Sequence, residues 1–190
     1  MPERFENGYA LLIGVDENRV AEWALPGAGR DVTALQGVLT DPERCAYPVE
    51  QVRVVRGKEA TRQGILDGLA WLEECVRGRT NATAVVYYTG HGWRDAEADA
   101  ASFYLIPCDV REGQVRSRAL RAADFVEAVS VLRPQRLLAV LDCCHAGGMG
   151  IKGEIALPPG YAGAAFAPSL LVGKEGGKAL GPGEEGLGER

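Results

Sequence analysis

The only two histidines and two of the five cysteines stand at the ends of two apolar runs. Ala84–Gly92, AVVYYTGHG, sets His91 between two glycines. Leu137–Gly148, LLAVLDCCHAGG, stops on Asp142, Cys143, Cys144, His145 and a glycine pair. A cysteine attacks as its thiolate, and an imidazole beside it generates or stabilises that form, lowering the thiol pKa from about 8.5 by one or several units. The oxyanion formed when a thiolate adds to a carbonyl needs N–H donors. Glycine-rich turns such as Gly90-His91-Gly92 and Cys144–Gly148 can aim backbone amides at it. The residue types therefore point to nucleophilic acyl transfer. A zinc site made of His91, Cys143, Cys144 and His145 fits less well, because adjacent ligands without CxxC spacing suit tetrahedral coordination poorly.

Such residues need rigid elements behind them. Tyr9–Val15, YALLIGV, is a continuous apolar run of the kind buried on both faces of a parallel sheet. A polar, Gly-rich crossover leads to a helix over Asp31–Leu39, with Asp31 in its first turn, at the positive end of the dipole. Gln51–Val55 alternates as a strand. Thr61 is the expected N-cap of a helix carrying Ile65, Leu69, Leu72 and Val76 and ending near Gly78. Ala84–Tyr88 is the next strand, followed by an acidic surface loop over Trp93–Ala101 and a short strand over Phe103–Ile106. A helix over Ala119–Leu132, closed by Pro134, precedes a last strand over Arg136–Leu141. Strands alternating with helices imply an α/β fold with a parallel sheet covered on both faces. Ligands bind beyond the carboxyl ends of such strands, where Asp31, His91 and Cys144 can converge. Neighbours at a strand end point to opposite sides, so a Cys144 that faces the cleft leaves Cys143 facing the core.

Composition narrows the classes. The 190 residues, 46% hydrophobic and 25% charged, suit one domain with a full core. A net charge of −5 without a basic stripe argues against nucleic-acid or anionic-membrane partners. The apolar run near the N-terminus is too short for a signal peptide or a membrane span, so a cytoplasmic location is expected. Five irregularly spaced cysteines argue against a disulfide framework, and Cys45, Cys75 and Cys108 are expected as small buried hydrophobes. Tyr88 and Trp93 are expected to pack, and His145 to be structural. Residues 1–150 read as the catalytic domain. Residues 151–190, with ten glycines and four prolines, read as a linker. A sheet ending at the 136–141 strand leaves an apolar edge, so a further segment beyond Arg190 is expected to cover it.

YYTGHG followed by DCCHAGG resembles the histidine and cysteine motifs of the caspase-like peptidases, closest to the metacaspases and their prokaryotic relatives, the orthocaspases. YALLIGV and GRDVTAL, at Gly29–Leu35, fit the same family. The resemblance implies a three-layer α/β sandwich and a cysteine endopeptidase. In it Cys144 is the nucleophile, His91 is the general base and acid, and the amides of Gly92 and Cys144 are the oxyanion donors. It further implies an acidic specificity pocket from Asp31 and Asp142, with Thr89 among the substrate-binding residues. Two carboxylates in a recess bind a cationic side chain and repel an aspartate, so cleavage after arginine or lysine is expected. Arg30 is the residue type with which true caspases select aspartate. It is expected to point away from Asp31, because adjacent positions at a helix start diverge.

Metacaspases often use calcium. Asp95, Glu97, Asp99 and Asp124 could contribute ligands, but Ala123 stands where many relatives carry another acidic residue, and calcium wants several oxygens. No cofactor is therefore expected, with calcium the one cation left open. The resemblance also implies a large segment separated by self-processing from a small one. Arg190, after GPGEEGLGE, is the expected processing site, and the small segment is the expected second chain. A silent interaction module and an aspartate-specific protease are the alternative functions.

Overall fold

The computed structural model describes residues 4–95 and 102–143. Its core is a four-stranded sheet of β1 (Gly8–Gly14), β2 (Val52–Arg56), β3 (Thr83–Thr89) and β7 (Arg136–Asp142), in the order β2-β1-β3-β7 with every pair parallel. Register matters most here. Gly14 stands beside Thr89 and Thr89 beside Asp142, so three strands end side by side at one rim of the sheet.

Every residue of β1 is buried, as its unbroken apolar run predicts for a central parallel strand. Ala10, Leu12 and Val85 face one layer with Val32 and Leu39 of α1 (Pro26–Thr40). Leu11, Ile13, Val86 and Tyr88 face the other, with α2 (Arg62–Val76) and α4 (Ala122–Ser130). Each large aliphatic chain so buried contributes about 1.5–3 kcal/mol. Thr61 caps α2 as expected, its hydroxyl accepting from the Gly64 N–H at 2.9 Å. The architecture is an α/β sandwich with helices on both faces of a mostly parallel sheet.

Four local expectations are corrected. First, α1 begins at Pro26, so Asp31 is the helix's sixth residue and lies in the second turn rather than the first. Proline's fixed φ suits the first helical position. Gly29 of PGAG is explained by a close approach: a Cβ at residue 29 would stand 2.3 Å from an Asp16 carboxylate oxygen. Asp16 itself is held by the Gly57 N–H at 2.7 Å and by Arg56 at 3.1 Å.

Second, the expected loop after Trp93 opens as a strand. β4 (Gly92–Asp95) pairs antiparallel with β5 (Ser102–Leu105), and β5 with β6 (Leu120–Arg121), in a separate small sheet. Trp93 and Asp95 are buried. Third, the helix expected over Ala119–Leu132 is divided. α3 (Val115–Arg118) precedes it, Leu120 is buried by pairing with Leu105, and α4 starts at Ala122. Leu120 matched the helical period because the sheet hides it. Fourth, Cys45 and Cys75 are only partly buried, whereas Cys108 and Cys143 are buried. Cys45 and Cys75 sit at the margins of their clusters, where the packing is incomplete.

No helix among the described residues is long and apolar enough to cross a membrane. Within the described sheet β7 is an edge strand, and Leu138 on it is 43% exposed.

Candidate active site

The site is built at the rim where β1, β3 and β7 end. Two residues past β3, His91 is 8% exposed, and its Nε2 lies 3.0 Å from the Trp23 carbonyl oxygen. Trp23 ends a short 3-10 turn, Ala21–Trp23, whose last carbonyls have no partner within the turn; the imidazole supplies one. A carbonyl can only accept, so Nε2 carries the proton and Nδ1 of the neutral ring carries the lone pair. Burial lowers the His91 pKa below its ordinary value, against the opposing effect of the Trp23 carbonyl. At neutral pH the ring is therefore a base in waiting.

The flanking backbone is fixed by name. The Gly90 N–H donates to the Asp142 carbonyl at 3.4 Å, and the Val15 N–H donates to the Thr89 carbonyl at 2.9 Å. The His91 carbonyl accepts from the Ile106 N–H at 3.0 Å and from the Tyr88 hydroxyl at 3.1 Å. The Ile106 bond makes Gly92 and Leu105 a non-hydrogen-bonded pair of the antiparallel ladder, so the Gly92 N–H points away from β5. The β4–β5 ladder therefore does not use the Gly92 N–H.

Strand alternation sorts the rest. Cys143 is buried in the cluster that contains Tyr88 and Phe125, on the α2/α4 side of the sheet. Asp142, Thr89 and Tyr87 belong to the opposite side, toward α1. Asp142 is partly buried, Thr89 is buried, and Asp31 on α1 is exposed. Burial raises the Tyr87 phenol above its ordinary pKa. The negative charges of Asp142 and Asp31 add to that, and Thr89 opposes it. Both carboxylates thus bear on one tyrosine, and all four residues border one region. Arg30 is exposed, and among the described residues no ion pair joins it to Asp31.

Cys144, His145 and Arg190 lie outside the described residues, as do Glu97 and Asp99. Asp95 and Asp124 are held by arginines. Asp95 takes a bidentate pair from Arg116 at 2.7 and 2.9 Å, beneath a guanidinium stacked over Trp93. Asp124 is gripped by Arg121 at 2.6 and 3.1 Å and reached by Arg62 at 3.5 Å. Its carboxyl is held below the ordinary range by those partners, Arg121 foremost. A cation would have to displace a guanidinium at either place.

Sequence reasoning missed two contributors. The Trp23 carbonyl is a backbone group, and nothing in its side chain announces that role. Tyr87 was legible in principle, because it alternates with Thr89 on the same strand face.

A sequence model of the caspase domain matches residues 7–179, nearly the whole chain. The chain therefore belongs to the caspase-domain family. Over 149 residues the chain is 29% identical to "Inactive metacaspase-4" of Trypanosoma brucei brucei, a match covering 73% of this chain and 40% of that protein. A crystal structure of a Geobacter sulfurreducens protein superposes with a TM-score of 0.50 at 18% identity, covering 73% of this chain and 50% of that one. The chain thus spans half the length or less of the relatives it matches.

Proposed function

We propose that this chain carries the catalytic dyad of a cysteine endopeptidase that cleaves after arginine or lysine, with Cys144 as nucleophile and His91 as base. One observation carries the reading: His91 is buried past the end of β3, with Nε2 bonded to the Trp23 carbonyl and Nδ1 left as the acceptor. The neighbouring β7 ends at Asp142, two positions before Cys144 in the sequence.

In the mechanism, Nδ1 of neutral His91 takes the Cys144 proton, and the thiolate adds to the substrate carbonyl. The Gly92 N–H, with that of Cys144, receives the oxyanion. The Nδ1 proton then passes to the leaving amine as the C–N bond breaks, leaving a thioester. Water, activated by the same imidazole, releases the acid and restores the thiol. The Trp23 carbonyl supports the imidazolium throughout. Asp142, partly buried beside Thr89, and Asp31 across Tyr87 provide the negative potential that favours a cationic side chain.

In the same reading a partner segment pairs with the β7 edge, covering Leu138. The relative named inactive favours one competing reading, a silent interaction module; this chain keeps both the cysteine and the histidine. The test is covalent trapping. The full chain is treated with a peptidyl-arginine chloromethyl ketone, digested and mapped by mass. An adduct on Cys144 that is lost in His91→Gln supports the dyad. Labelling spread over Cys45 and Cys75, indifferent to His91→Gln, overturns it.

A further inference from the structure

Tyr88 reads from sequence as a core residue, and its ring is one: it is fully buried and meets Phe125 edge-on, with ring centroids 6.4 Å apart. Phenylalanine would fill that space equally well. The hydroxyl is therefore the informative atom, since burying an unpartnered phenol is costly. Its partner is the His91 carbonyl at 3.1 Å, the acceptor also used by the Ile106 N–H at 3.0 Å.

The His91 carbonyl and the Gly92 N–H are two ends of one planar, trans peptide unit. Two donors gripping the carbonyl fix the plane, and so fix the direction of the N–H at its other end. The donors come from different parts of the fold: Tyr88 from the parallel sheet, Ile106 from the residue after β5. Donation to a carbonyl also polarises its amide, which strengthens the N–H as a donor. We infer that Tyr88 is a positioning residue for the oxyanion hole, its hydroxyl aiming and polarising the Gly92 N–H through the His91–Gly92 peptide.

A second observation agrees. A Cβ at residue 90 would stand 2.9 Å from the Tyr88 hydroxyl and 3.1 Å from the Val15 Cβ, so Gly90 is what leaves the phenol room to reach over to His91. Burial, with the nearby Cys143 adding to it, pushes the Tyr88 phenol well above its ordinary pKa, so the hydroxyl remains a donor across the working range.

The inference rests on the reading of Gly92 as an oxyanion donor, and its test separates the two. His91-Gly92 is the sole His-Gly pair in the sequence. Full-length protein labelled with 13C-carbonyl histidine and 15N glycine therefore gives a single carbonyl–amide correlation from this peptide. In Tyr88→Phe that signal must shift, whether or not the protein cleaves anything; an unmoved signal overturns the inference. With an arginine reporter, kcat in Tyr88→Phe is expected to fall about tenfold at a nearly constant KM, a fraction of the loss when an oxyanion donor is removed outright. Alkylation of Cys144 by iodoacetamide, which needs the thiolate but no oxyanion hole, is expected to keep its rate. A fall in kcat and alkylation together would assign Tyr88 to general packing and overturn the inference. A shifted signal with unchanged kcat would overturn it too, and an inactive wild type with a shifted signal would remove the protease reading while leaving the peptide clamp in place.

Discussion

His91 Nε2 and the carbonyl oxygen of Trp23 lie 3.0 Å apart, although 68 residues separate them in the chain. This bond selects the neutral tautomer and leaves Nδ1 as the unprotonated nitrogen, the one the proposed dyad uses as its base.

The pH dependence follows from burial. Because His91 is held below its ordinary pKa of about 6.5, the imidazole stays neutral to lower pH than a free histidine. The acid limb of kcat/KM is expected to have its midpoint below 6.5. Folding is linked in the same direction. The unfolded chain takes up a proton as pH falls through about 6.5, whereas the folded chain resists until the lower value, so stability is complete above 6.5 and is lost as pH falls through the folded pKa. Urea unfolding between pH 7.5 and 5 checks this, with His91→Gln expected to lose less stability over that range than the wild type.

Gly90→Ala is expected to reduce activity at least tenfold and stability by about 1–3 kcal/mol, because the new methyl displaces either the Tyr88 hydroxyl or Val15. Steady-state kinetics and thermal unfolding on the same preparation measure both.

The two pocket carboxylates are expected to differ. Asp142 is partly shielded and Asp31 is exposed to solvent screening, so Asp142→Asn is expected to raise KM for an arginine reporter about tenfold and Asp31→Asn only about two- to threefold. Equal effects, or improved arginine cleavage in either variant, would contradict the pocket.

Much of this was legible in the sequence, for identifiable reasons. The β1 run and the β3 and β7 ends were visible because a central parallel strand is apolar throughout and stops abruptly at polar residues. The start of α1 was not, since Pro26-Gly27-Ala28-Gly29 reads as a turn until the close approach of Asp16 to Gly29 is known. Leu120 fitted a helical stripe but is buried by pairing with Leu105. His91 was conspicuous between its glycines. The groups that orient it, the Trp23 carbonyl and the Tyr88 hydroxyl, were hidden, one being main chain and the other attached to a ring that packing alone would explain.

Calcium dependence is expected to be absent at Asp95 and Asp124, where arginines already neutralise the carboxylates. Activity is expected to be unchanged by a chelator, and Asp124→Asn to leave the calcium titration flat. A chelator-sensitive activity restored by micromolar calcium would contradict this.

The most direct measurement compares cleavage of paired reporter peptides ending in arginine or aspartate by the full-length chain and by Cys144→Ala. The expected result is turnover of the arginine peptide alone, abolished by the substitution. Turnover of the aspartate peptide instead, or arginine cleavage that survives loss of the Cys144 thiol, would contradict the account.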